Sequence, residues 1–357
     1  MTRNQALLSR THRRLPAWCL LAAVLGWSML AGTRAAWAAS KPLQVYFVDV
    51  DGGQSTLFVT PAGKSLLIDT GWASNGLDAG RIAAAAKDAG VSKIDFLLLT
   101  HYHADHVGGV PDLVEKIPVG TFLDHGPPSP TDTSTTKGFD AYQKVLASGH
   151  YGHLVPNPGD ALKIKGIKAV VISSNGELLG QALPGAGEPN TYCKDSETRP
   201  ADLTDNSRSL GILITFGKLK ILDLGDLTWD KEMELMCPNN KIGKVDILVV
   251  SHHGLFQSSS PALIEAVQPR VAIMNNGEIK GGSTPTFETL AKSPGLETLW
   301  QLHFSKEAGD AHNSAAEYIA NPVGTDAANY LKLTASPKGS FAMFNSRTGT
   351  TKDYAAR

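Results

Sequence analysis

LLLTHYHADHVGG, residues 97–109, closes an apolar run and then places three histidines and an aspartate within six positions. The near-continuous apolar stretch from Ile94 to Leu99 predicts a strand covered on both faces, because a half-exposed strand would alternate. The strand is expected to stop at Thr100, and HYHADH then forms the turn into the next helix. His101 and His103 are two apart, so near the end of an extended segment both can point the same way. Asp105 and His106 belong to the turn itself. A lone strand histidine is usually a satisfied core residue. Four imidazole and carboxylate groups in six positions suit a divalent ion far better.

Two later strand ends offer further ligands. The run KLKILDLGD ends at Asp226, just past Gly225, and KVDILVVSHHG ends at His252, His253 and Gly254. If these strands neighbour the first, their ends meet at one edge of a sheet, where α/β proteins commonly carry their sites. Around them strands and helices alternate. Strands are expected at 43–50, 55–60, 64–71, 119–124 and 210–217, then over PRVAIMNN, NYLKLTAS and SFAMFNS. Helices are expected over AGRIAAAAKDAG, VPDLVEKI, TWDKEMELM, PALIEAVQ and TPTFETLAK. Two long polar stretches, 126–138 and 180–208, lie between ordered elements and are expected to form rims of the site.

The chain has 357 residues, 42% hydrophobic and 19% charged, which suits a globular protein with a sizeable core. Residues 1–38 differ from the rest. Arg3, Arg10, Arg13 and Arg14 precede an uncharged run from Ala17 to Gly32, and small residues at Ala36 and Ala38 follow. This is the layout of a secretory signal peptide, by Sec or, from Arg13-Arg14, twin-arginine export. The run is short for a membrane-spanning helix. The expected domains are therefore a signal peptide at 1–38 and one compact domain at 39–357, periplasmic or extracellular and free of the membrane after cleavage. Removing five arginines leaves 28 basic against 34 acidic residues, a net charge of −6. That balance disfavours nucleic acid as a partner without removing it. Cys193 and Cys237 would remain, either paired by oxidation or as two unrelated small residues; their spacing suits no zinc site.

THYHADHVGG, LDLGD and SHHG together resemble the metallo-β-lactamase superfamily. The leading VYFVDVDGGQSTLFVTPAGKSLLIDTG (45–71) resembles the start of its ComEC-type branch, the hydrolase-like domain of DNA-uptake proteins and its free-standing relatives. The resemblance implies an α/β fold, an αββα four-layer sandwich of two mixed β-sheets with metals at one edge. It implies that His101 and His103 bind a first metal, Asp105 and His106 a second, that Asp226 bridges them, and that His253 completes the second site. Either member of the His252-His253 pair can be the ligand; the resemblance favours His253, leaving His252 to face substrate. Asp69 would brace the metal loop without touching metal.

One departure stands out. Many superfamily members give the first metal a third histidine from the interval before the bridging aspartate. Here Asn206 and Ser207 stand at that place, as in ComEC-type members, so the first metal is weakly held, takes Asn206 or water, or is absent. His125, which ends a strand, is a candidate to reach substrate alongside Asn206, Ser207 and His252. His150 and His153 are expected at the surface.

The cofactors expected are two divalent ions, zinc before manganese or iron, since the set is histidine and aspartate with no cysteine. A divalent ion lowers the pKa of bound water to about 7, supplying hydroxide, which Asp105 or Asp226 would help to orient, while His252 is the catalytic candidate that faces substrate. The expected reaction is hydrolysis of a phosphoester, phosphodiester or other small ester. The alternative is a non-catalytic metal- or ligand-binding module with an incomplete first site. Oligomeric state is not legible.

Overall fold

The strand Ile94–Leu98 is sandwiched between two parallel neighbours, Ser65–Ile68 and Val119–Leu123. Its successive side chains serve two cores. Phe96 and Leu98 enter the interior between two sheets, while Leu97 and Leu99 pack beneath helices. That double duty is why the run carries so little polar character.

The computed structural model describes residues 41–324 and 328–357, so the expected signal peptide lies outside the described residues. The described residues gather into one unit. Its first sheet runs in the order Thr351–Tyr354, Phe341–Asn345, Leu331–Ala335, Leu43–Phe47, Thr56–Val59, Ser65–Ile68, Ile94–Leu98, Val119–Leu123 and Gly152–Leu154. The second runs Ile319–Asn321, Thr298–His303, Val271–Met274, Ile247–Val249, Leu219–Asp223, Gly211–Phe216, Lys168–Ser174 and Ala161–Leu162, with Glu177–Leu178 paired to Lys168–Ser174. Both sheets mix parallel and antiparallel pairs.

Three layers of core follow. Phe47, Phe58, Ile212, Ile221 and Trp300 fill the space between the sheets. Ile82 of helix Leu77–Asp88, Leu113 of Val110–Lys116 and Tyr142 of Thr136–Ser148 cover the outer face of the first sheet. Leu235 of Trp229–Met236, Leu263 of Pro261–Val267 and Leu290 of Thr284–Lys292 cover the second. The architecture is the expected four-layer αββα sandwich. Burying each such side chain contributes about 1.5–3 kcal/mol, so the layers close cooperatively.

Several elements were not anticipated. Helix Thr136–Ser148 begins inside the stretch read as polar rim, because Thr136, Lys137 and Gly138 form its first turn. The strands Lys168–Ser174 and Thr298–His303 also went unread. Cys193 and Cys237 form a disulfide, tying the turn Thr191–Asp195 to the end of helix Trp229–Met236. Among the described residues no helix is long and apolar enough to cross a membrane.

Leu219–Asp223, Ile247–Val249 and Val271–Met274 are consecutive parallel neighbours. Their carboxyl ends therefore reach the same edge, beside the end of Ile94–Leu98. Gly225, at φ +57°, lets the second sheet's loop approach the first; a Cβ there would lie 2.7 Å from the Cβ of Thr100.

Candidate metal centre

The turn after Ile94–Leu98 is held by Asp69. Its Oδ1 accepts from the Thr100 amide (2.8 Å), and its Oδ2 accepts from the Thr100 hydroxyl (2.7 Å) and from Nδ1 of His106 (2.7 Å). His106 is thereby fixed with Nε2 facing the sheet edge. His253 is fixed in the same way from the second sheet, because its Nδ1 donates to the carbonyl of Asn275 (3.1 Å). His252 and His253 both sit in the left-handed region, at φ +54° and +55°. For residues with a Cβ this costs roughly 1–2 kcal/mol each. The loop is held there by the His252 amide donating to the Gly225 carbonyl (3.1 Å) and by Gly282 donating to the His253 carbonyl (2.9 Å).

The resulting cluster is tight. Nε2 of His106 lies 3.1 Å from Nε2 of His253, 3.3 Å from Asp105 Oδ2 and 3.2 Å from Asp226 Oδ2. Nε2 of His253 lies 3.0 Å from Asp105 Oδ2 and 3.4 Å from Asp226 Oδ2. Beside it, His101 Nε2 is 3.0 Å from His103 Nδ1 and 3.8 Å from Asp226 Oδ2. His103 turns its other nitrogen to Asp132 Oδ2 (2.8 Å).

A cation fits this set on chemical grounds. His106 and His253 turn Nε2 toward Asp105 Oδ2 and Asp226 Oδ2, so two imidazoles and two carboxylates, all groups that bind divalent ions, converge. Ligand bonds of about 2.0–2.2 Å would set tetrahedral partners about 3.3–3.6 Å apart, close to the 3.0–3.4 Å spacings found. Asp226 Oδ1 is buried, and among the described residues no hydrogen-bond partner reaches it. Such an orphaned acceptor is costly unless something absent satisfies it. Asp105, His106, Asp226 and His253 would hold one ion; His101, His103 and the shared Asp226 would hold a second.

The charges follow. Burial would raise the Asp226 carboxyl, but His106, His253 and His252 outweigh it and hold it well below the usual range. Burial would also raise Asp105, and His106, His253 and Lys280 hold it down. His101 is pushed well below its ordinary value, by burial first and by His106 second, so its imidazole is neutral. Burial would lower His106, yet Asp226, Asp105 and Asp69 raise it well above. Without metal, its proton supplies the missing positive charge.

The remaining expected residues divide. His252 Nε2 lies 3.5 Å from Asp226 Oδ2 and 3.4 Å from Asn206 Nδ2, with 12% of its side chain exposed at the rim. Asn206 Oδ1 is buried, with no partner among the described residues. Ser207 turns inward and donates to Thr204 O (2.8 Å), so it offers substrate nothing as placed. His125 is fully buried against Tyr102, with Nε2 3.2 Å from Asp205 Oδ2; a side chain sealed this way braces a loop and does not meet substrate. His150 and His153 are exposed, His153 bonding Asp124 (2.7 Å).

Three functional candidates escaped the sequence reading. Asp132 orients His103, and its own Oδ2 also accepts from the Asp205 amide (3.0 Å). Asp205 accepts from the amides of Tyr102 (2.9 Å) and Ser129 (2.6 Å), joining both expected rims to the metal turn. Lys280 reaches Asp105 Oδ2 with its ammonium. The signal for the aspartates was available, since a ligating imidazole needs an acceptor for its other nitrogen. Nothing in the sequence near Lys280 marked it.

Residues 48–173 match the family model "Metallo-beta-lactamase superfamily". Recombination protein 2 of Haemophilus influenzae (strain ATCC 51907 / DSM 11121 / KW20 / Rd) is 26% identical over 257 residues, 71% of this chain and 27% of that protein. ComE operon protein 3 of Bacillus subtilis (strain 168) is 27% identical over 243 residues, 66% of this chain and 26% of that protein. The chain thus spans about a quarter of the length of these relatives. The crystal structure of the metallo-beta-lactamase fold protein YhfI from Bacillus subtilis is similar at a TM-score of 0.45 and 14% identity, over 73% of this chain and 96% of that one. Residues 48–173 are thus a metallo-beta-lactamase superfamily domain, in a chain similar to part of Recombination protein 2 and of ComE operon protein 3.

Proposed function

We propose that this protein is an exported metal-dependent hydrolase acting on a phosphoester, phosphodiester or other small ester. The observation that carries the reading is the convergence of four buried imidazole and carboxylate groups, from loops of both sheets, next to a partly exposed histidine. When bound, a pair of divalent ions supplies Lewis acidity and acidifies water. The chain's own residues do the rest. Asp105 and Asp226 remain ionised and can accept hydrogen bonds from an attacking water at Oδ2. His252, pushed down to about 4 chiefly by burial, is neutral at pH 7. That value is too low for efficient proton abstraction near neutrality. His252 therefore orients a substrate oxygen by hydrogen bonding, and Asn206 extends the same wall.

Export is supported by the basic, then apolar, then small-residue leader. The Cys193–Cys237 disulfide adds support, since such bonds persist in oxidising compartments. A second reading, a single-ion binding module, is favoured by one fact: the group closing within 4.8 Å is Asp105, His106, Asp226 and His253, without His101 and His103. A screen of zinc-loaded protein against a chromogenic phosphodiester, thioester, lactone and β-lactam tests the choice. Turnover of the phosphodiester that Asp226→Ala abolishes supports the hydrolase. No turnover of any of them, with one zinc bound, supports the module.

A further inference from the structure

Lys280 enters the site from a loop whose position is set by backbone bonding. After strand Val271–Met274 the chain turns back on itself, with Gly277 donating to the Lys280 carbonyl (2.8 Å). Gly281, at φ +83°, passes so close to the histidine loop that a Cβ would lie 2.3 Å from the His253 carbonyl oxygen. Gly282 and Ser283 then donate to the His253 and Gly254 carbonyls, both at 2.9 Å. From this anchored turn the Lys280 side chain crosses the face of Trp72, its Nζ 5.0 Å from the ring centroid, and meets Asp105 Oδ2. About a third of the side chain (32%) stays exposed. Trp72 in turn lines a cavity of about 680 Å³, together with Asp51, Ala104 and Val107.

We propose that Lys280 is a substrate-binding residue that holds an anionic group, of the phosphate class, beside the metal centre. The assignment rests on the hydrolase reading for its metal. A divalent ion on Asp105 would take the lone pair that Lys280 now contacts and would repel the ammonium. The Lys280 Nζ already lies over the Trp72 ring, so the displaced charge would remain there, without the carboxylate that balanced it. An anion entering there meets a fixed ammonium and a metal edge together. This selects charged esters over neutral ones of equal size, because an ammonium–phosphate contact is a charge-assisted hydrogen bond.

The test titrates inorganic phosphate into zinc-loaded full-length protein by calorimetry, with zinc content measured on the same samples. Lys280→Ala should weaken phosphate binding about tenfold or more with zinc content unchanged, and Lys280→Arg should regain most of the loss. Phosphate affinity in Lys280→Ala within twofold of the parent overturns the assignment. So does a loss that only tracks lost zinc, which would make Lys280 a mere counter-ion of Asp105, or a parent that binds no phosphate. A parent that binds phosphate through Lys280 yet hydrolyses no ester would leave this assignment standing while the hydrolase reading fails.

Discussion

Asp69 Oδ2 and His106 Nδ1 lie 2.7 Å apart, and that one bond decides which nitrogen of His106 faces the site. Asp69 itself is fully buried at φ +59° and also ties down Thr100 through both its amide and its hydroxyl. Asp69→Asn keeps the shape and removes the charge that orients the ring. Zinc affinity of the Asp105–His106–Asp226–His253 set should fall about 10–100-fold, with the fold retained by circular dichroism. Unchanged affinity would show that His106 is oriented by something else.

Zinc binding should depend steeply on pH. His106 is held protonated above its ordinary value in the metal-free protein by Asp226, Asp105 and Asp69, despite burial. Zinc must displace that proton, so its apparent Kd should tighten by up to about tenfold per pH unit until the raised pKa is passed. The same shift carries a stability consequence. A raised histidine contributes stability that is fully present below its unfolded value of 6.5 and is lost as pH rises through the folded value. Metal-free protein should therefore weaken above pH 6.5, where zinc rescues it most. A pH-independent Kd, by competition with a chromogenic chelator, contradicts this.

Asp132 accepts from Nε2 of His103 at 2.8 Å, while the four-residue set has no bond to it. Asp132→Ala should weaken the ion held by His101 and His103 by about 10–100-fold and leave the other tight. Two-phase zinc titration reads the difference; loss of both ions together would mean that the pairs are not separable.

The disulfide joins Cys193 and Cys237 across a sequence separation of 44. Changing both to serine should lower unfolding free energy by about 2–4 kcal/mol, read from denaturant midpoints under non-reducing conditions. An unchanged midpoint would show that the bond adds nothing to stability.

The legible parts of this molecule were those with local signatures. Continuous apolar runs such as Ile94–Leu99 marked doubly covered strands, and their abrupt ends at His101, Asp226 and His252 marked one sheet edge. Orientation was not legible. His125 ends a strand just as the metal-loop histidines follow one, yet its ring turns inward to Asp205, which the chain supplies 80 residues later. Lys280 is similar, since its role depends on a contact with Asp105 across 175 residues. Helix Thr136–Ser148 was obscured because its first turn is Thr-Lys-Gly after a proline-rich loop, and its apolar spacing begins only at Phe139, followed by Tyr142, Val145 and Leu146.

The most direct test is the zinc content of Asp226→Ala against the parent, after loading and exhaustive dialysis, by elemental analysis. Asp226 is the residue shared by both proposed ion sites, so the parent should retain two zinc ions and the variant should lose at least one, with the fold intact. A variant that keeps the parent's full zinc content would contradict a centre built around that carboxylate.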